Sequence, residues 1–169
     1  MAGIFKYISE WISGNFPSDE ETHRESMRSA KEAKARGSAS HIEHIIDIFE
    51  DEVCDRYPGR TDIITTIKKF RQALYDEHGG VSPYSMLSRS KHFTPEGKIA
   101  FDKVVERWSD RTKLSKEFAF LNGYSPSGER ISVWSLYPIA SMYDTEAHAA
   151  DTALAMQQWH IDKYGTPLD

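Results

Sequence analysis

The sequence predicts a mainly α fold, a single-domain helical bundle of five to seven helices spanning residues 1–169, with one small β-hairpin near residues 117–137. Three observations carry this prediction. Apolar residues recur three and four apart along most of the chain, the spacing of one helical face. Helix-starting Ser, Thr and Pro precede these runs, and Gly follows them. A 39% hydrophobic, 12% aromatic composition over 169 residues is enough to build one core without cross-links.

The first run places Ile4, Phe5, Ile8, Trp11 and Ile12 on one face, stopped by Gly14. A helix docked on the core is the plain account. An exposed apolar strip is the alternative, and Lys6 as its only base argues against a membrane surface. The first residues lack the basic region and continuous apolar stretch of a signal peptide. No apolar run approaches the ~20 residues needed to span a bilayer.

Residues 18–36 are almost entirely polar. Ser18 with Glu21 fits a capping box, acids fill the first turn and bases the last, and Gly37 is expected to end this helix. Glu20–Arg24 and Glu32–Arg36 are favourable i,i+4 pairs. Residues 1–37 are accordingly assigned to amphipathic and charged helices peripheral to a core of residues 38–164.

Ser40 with Glu43 suggests a second capping box, opening a helix to about Tyr57 whose stripe is Ile42, Ile45, Ile46, Phe49 and Val53. The next helix spans about 62–77 on Ile63, Ile67, Phe70 and Leu74 and stops at Gly79-Gly80. The short turn at Pro58-Gly59 implies an antiparallel hairpin of these two. Residues 81–93 read as an irregular connector. Thr94-Pro95 is a strong helix start, with Phe101, Val104, Val105 and Trp108 on one face. Past Ser109 the apolar face rotates to Leu114, Phe118 and Leu121, which predicts a break there.

Residues 122–128 carry turn chemistry, and Ile131–Tyr137 is the best strand candidate, to be paired with Phe118–Leu121. The last helix runs from about Asp144 to Tyr164 and ends at Gly165. Its Tyr143/Ala147/Ala150/Leu154/Ile161 side and its Ala155/Trp159 side are both candidates for burial, and its small residues let neighbouring backbones come close, so it is expected to be the central helix.

Charge and cysteine content exclude several function classes. The 21 bases against 26 acids leave a net charge of −5, with no generic nucleic-acid footprint. Cys54 is the only cysteine, so no intramolecular disulfide can form, and a reducing, cytoplasmic location is expected. Its acidic neighbours oppose thiolate chemistry. No phosphate-binding loop, dinucleotide fingerprint, nucleophile elbow or paired Cys motif is present. No cofactor is expected.

The functional reading is a small acidic binding or regulatory protein, of inhibitor, immunity or adaptor type, whose partner is another protein. Tyr124, Arg130, Trp134, Tyr137 and Tyr143 are its candidate contact residues, because Tyr, Trp and Arg dominate interface hot spots. The same aromatics filling the end of the core is the structural account. A metal-dependent enzyme is the alternative. His41, His44 and Asp47 lie three apart on one helix, and His148 and Asp151 repeat that spacing on another, so two facing helices would bring imidazole and carboxylate together. Against it, His44 and Asp47 point away from the apolar stripe of their own helix. A helical nucleic-acid binder using Arg24, Arg28, Lys31 and Lys34 is the second alternative. Self-association is left open.

Overall fold

The computed structural model describes residues 18–88, 94–122 and 145–169. Among these residues the chain is 84% helical, with six α-helices and no strand. They are α1 (Asp19–Arg56), α2 (Thr61–Asp76), α3 (Pro83–Ser88), α4 (Pro95–Ser109), α5 (Arg111–Glu117) and α6 (Glu146–Tyr164), with a 3₁₀ turn at Ala119–Asn122. None of them is long and apolar enough to cross a membrane. The segment paired with the strand candidate is helical and 3₁₀ over 117–122, so it forms no hairpin arm; residues 131–137 lie outside the described residues.

The largest departure from the sequence reading is α1. It begins as predicted, with the Ser18 hydroxyl accepting from the Glu21 N–H and the Glu21 carboxylate accepting from the Ser18 N–H. It then runs unbroken through Gly37 for 38 residues. Gly37 keeps a helical conformation, and the burial of Ala35, Ser38 and Ala39 around it holds the helix together there. Packing at those three positions outweighs the roughly 1 kcal/mol by which one glycine disfavours a helix. Ser40 is therefore mid-helix. The Glu43 carboxylate, read as half of a capping box, instead accepts from the Tyr84 N–H and the Ser82 hydroxyl at 3.2 Å, and so caps α3. The Ser82 hydroxyl also accepts from the Ser85 N–H at 3.0 Å, which explains why a helix forms inside the expected connector. The surface pair near the end of the polar stretch is Arg28–Glu32, not Glu32–Arg36.

Gly37 supplies a direct test of that balance. A Cβ there would meet only Arg111 Nη2, at 3.9 Å. Gly37→Ala is expected to stabilise the chain by about 0.5–1 kcal/mol, raising its melting temperature. A lower melting temperature would show that α1 needs glycine at this point.

α1 is the spine of the fold. The Ile42, Ile45, Ile46, Phe49 and Val53 stripe is buried as the periodicity predicts. α2 returns antiparallel along it, with Arg71 bonded to Asp47 at 2.7 Å and to Glu50 at 2.6 Å. α3 and α4 lie on other sides of α1, and α6 packs chiefly on α2. The C-terminal helix is thus an outer layer, not the centre. It buries Ala149, Thr152, Ala153, Met156 and Trp159, while Leu154 is 66% exposed. Small side chains let the α2 backbone approach closely, and the larger Leu154 and Ile161 turn outward. Arg60 ties the starts of α2 and α6 together through Asp62 and Glu146, each at 2.8 Å.

Both ends of α4 fall where the sequence places them, the first through the Thr94-Pro95 start and the second, expected from the rotation of the apolar face, through a cap that the sequence reading did not name. The Thr94 hydroxyl accepts from the Gly97 N–H at 3.2 Å, with Pro95 in the first turn. At the other end Asp110 caps α5 by accepting from the Lys113 N–H at 3.0 Å. The α5 face then presents Leu114 and Phe118 to the core. Gly79, Gly80 and Gly165 end α2 and α6 with φ of 71°, 78° and 76°, where a side chain would be strained.

Candidate functional site

Four charged side chains, from four separate places in the sequence, meet where the ends of α2, α4, α5 and α6 converge. Glu77 follows the last turn of α2, Arg107 is on α4, Glu117 ends α5, and Lys163 is near the end of α6. Arg107 bonds Glu77 at 2.6 Å and Glu117 at 2.5 Å. Lys163 bonds the same two carboxylates, Glu77 at close range and Glu117 at 3.4 Å. The result is a closed ring of alternating charge. Its side chains are only 11–27% exposed, so the pairs are screened much less than surface pairs.

Aromatic groups satisfy and cover the ring. The Tyr164 hydroxyl donates to Glu77, and the Trp159 indole N–H donates to Glu117 at 3.2 Å. Lys163 Nζ lies 4.7 Å from the Trp159 ring centroid, within cation–π range. Burial alone would raise the Glu77 carboxyl. The Lys163 and Tyr164 hydrogen bonds and the Arg107 charge outweigh burial and hold it below its ordinary value. Burial, then the Glu77 carboxylate, pushes the Tyr164 hydroxyl well up, so it stays a donor.

His78 sits beside the ring. Its Nε2 accepts from the Trp108 indole N–H at 3.3 Å, which requires an unprotonated nitrogen. Burial, with the Arg107 and Lys163 charges adding to it, lowers the imidazole from 6.5 to about 4. Between these values the unfolded chain binds a proton that the folded chain refuses. Stability is therefore expected to fall as pH drops from 6.5 toward 4, by about 2 kcal/mol after allowance for partial solvent contact. His78→Gln keeps an acceptor for Trp108 and removes the titration. Its urea stability should vary less over this window than that of the natural chain; an equal slope would clear His78 of the effect.

On the solvent side of the ring lies a groove of about 890 Å³. Its floor is Trp159, Phe120, Ala119 and Ala155, and its walls carry Arg107, Lys113, Lys116 and Lys163 against Glu117 and Asp162. Arg107 and Lys163 are committed to the ring. Lys113 and Lys116, both exposed on α5, pair with no acid among the described residues. Asp162 is held by the Gln158 amide at 2.6 Å. A local excess of positive charge over an apolar floor thus stands out on a chain of net charge −5.

The residues singled out in the sequence fall elsewhere. Tyr124, Arg130, Trp134, Tyr137 and Tyr143 lie outside the described residues. Phe120 is the one described aromatic of that stretch, and it packs edge-on to Phe70 at 5.7 Å while lining the groove. His41 is half-buried on α1. His44 and Asp47 are exposed there, Asp47 being bonded to Arg71. His148 and Asp151 are exposed on α6, which packs chiefly on α2 and not against the His44 face of α1. The two fragments are not brought together, and among the described residues no three His, Cys, Asp or Glu side chains are placed to share a metal. Arg28, Lys31 and Lys34 line one groove together with Glu32, Asp102 and Glu106, and acids offset the bases of this stretch: Arg24 bonds Glu20, Arg28 bonds Glu32 and Lys31 bonds Glu106.

Comparison with known protein families, curated proteins and solved structures finds no match for this chain.

Proposed function

We propose that this chain is a binding protein, regulatory in the manner of an inhibitor, immunity factor or adaptor, and that the groove against the ion-pair ring is where it holds a protein partner. The observation that carries this reading is the pair of uncommitted lysines, Lys113 and Lys116, beside an aromatic floor of Trp159 and Phe120. Apolar floors rimmed by charge are the anatomy of protein contact sites, and Trp and Arg recur among their energetic centres. The ring gives the groove a rigid back wall, so little ordering entropy is lost on binding. The lone, exposed Cys54 supports a reducing cytoplasmic setting.

A photo-crosslinking residue placed at Lys116 and, separately, at Thr65 on an exposed part of α2 tests the reading in living cells of the source. A discrete protein adduct from position 116 and none from 65 is expected. Adducts from 65 alone would move the contact surface away from the groove and overturn the assignment.

A further inference from the structure

Resting on that protein-contact reading, we infer that the groove takes an acidic, extended segment of its partner, one that presents two carboxylates two residues apart with a large apolar side chain two residues beyond them. Charge selects the sign. Four basic and two acidic side chains line the groove, and the two bases without an acid stand together on α5. On a chain whose net charge is −5 as a whole, the groove's surplus of bases over acids lets an acidic segment meet attraction instead of repulsion there.

Spacing selects the pattern. Lys113 and Lys116 are three residues apart on one helix, which puts their Cβ atoms on the same side and about 5–6 Å apart. In an extended chain, residues i and i+2 face the same way about 6.5–7 Å apart. Two carboxylates in that relation reach one lysine each. Asp162, on the α6 side, repels acids and keeps them over α5. An apolar side chain beyond them then falls toward Trp159, Phe120 and Ala155. A nucleic-acid strand fits less well, because only about two phosphates would find an uncommitted cation, which leaves little counterion release to drive binding.

The probes are short synthetic peptides carrying Asp-Ser-Asp-Ser-Phe in a Gly/Ser frame, dye-labelled, titrated into the full chain by fluorescence anisotropy. Matched peptides replace both Asp by Asn, or Phe by Ser. The parent peptide should bind, and loss of either feature should weaken it about tenfold or more. Raising salt from roughly 50 to 200 mM should weaken the parent and leave the Asn peptide unchanged. Lys113→Glu with Lys116→Glu should abolish parent binding, and the milder Lys113→Gln with Lys116→Gln should reduce it, both with an unchanged melting temperature. Equal binding of the Asn peptide, or no effect of either double variant, overturns the acidic-segment inference. So does tighter binding of single-stranded oligonucleotides than of the parent peptide.

A fully random peptide display on the same protein separates the two levels of failure. Enrichment of acid-poor sequences that the Lys113/Lys116 variants still bind would overturn the acidic occupant and leave protein contact standing. No enrichment, together with no crosslinked adduct from position 116, would overturn both.

Discussion

Phe118→Ala is expected to destabilise the chain by about 3–5 kcal/mol, which for 169 residues lowers the melting temperature by roughly 10 °C or more. Phe118 is fully buried and is the hub of the aromatic core. It stacks on Trp108 at 6.0 Å and packs against Phe70 at 6.2 Å and Trp159 at 5.8 Å. These partners come from α4, α2 and α6, so one truncation opens a void against three helices at once. Each aromatic pair adds about 0.5–1.5 kcal/mol beyond the area it buries. Phe118→Leu fills most of the space and should lose less than half as much. Thermal and urea melts of the two variants decide the matter. A Phe118→Ala chain melting within about 3 °C of the natural one would show that the site collapses around the void and that Phe118 is not the hub.

How the sequence foreshadowed this core differs from helix to helix. The Ile42–Val53 and Ile63–Leu74 stripes were legible because each helix buries one face against its neighbour, and burial on one face leaves a 3.6-residue period. The Thr94 start was legible because capping is local chemistry, confined to three or four residues, and the break after Ser109 because the apolar face rotates there; the Asp110 cap itself was not read. α6 was misread because an alanine-rich helix has two plausible faces. The face that won joins Ala149 and Ala153 to Trp159, whose ring packs on Phe70 and Phe118, and Leu154 is left outside. α1 was misread at Gly37 for the opposite reason: a local stop signal was overruled by packing that local reading does not contain.

The candidate site was hardly legible at all. Glu77, Arg107, Glu117 and Lys163 are separated by 30, 10 and 46 positions, and each alone looks like an ordinary charge near a helix end. Only the meeting of four helix ends makes them a ring. Lys113 and Lys116 carried a weak signal, two bases three apart on one helical face, but the floor beneath them comes from α6 and the 3₁₀ turn. The readable histidines, by contrast, lie on solvent-facing sides of helices that do not face each other.

Glu77→Gln is expected to destabilise the chain by about 2–4 kcal/mol at pH 7. Glutamine keeps the shape of the side chain and removes the charge that Arg107 and Lys163 share, leaving two half-buried cations with only Glu117 between them. The loss should depend on pH in a defined direction. The folded-state Glu77 carboxyl lies below its ordinary 4.5, so its contribution is complete above that value and disappears as pH falls further. The natural chain and the Glu77→Gln variant should therefore converge in stability as pH falls from 4.5 through the lowered folded-state value, below which both carry a neutral group at this position. A double-mutant cycle with Lys163→Met gives the sharper measurement. Two members of one closed ring should couple by about 1–3 kcal/mol, because either removal already breaks the alternation that stabilises the other. Additivity within about 0.5 kcal/mol would mean that the four charges act as independent surface pairs. The groove would then lose its rigid back wall, and with it the physical reason for placing a binding site there.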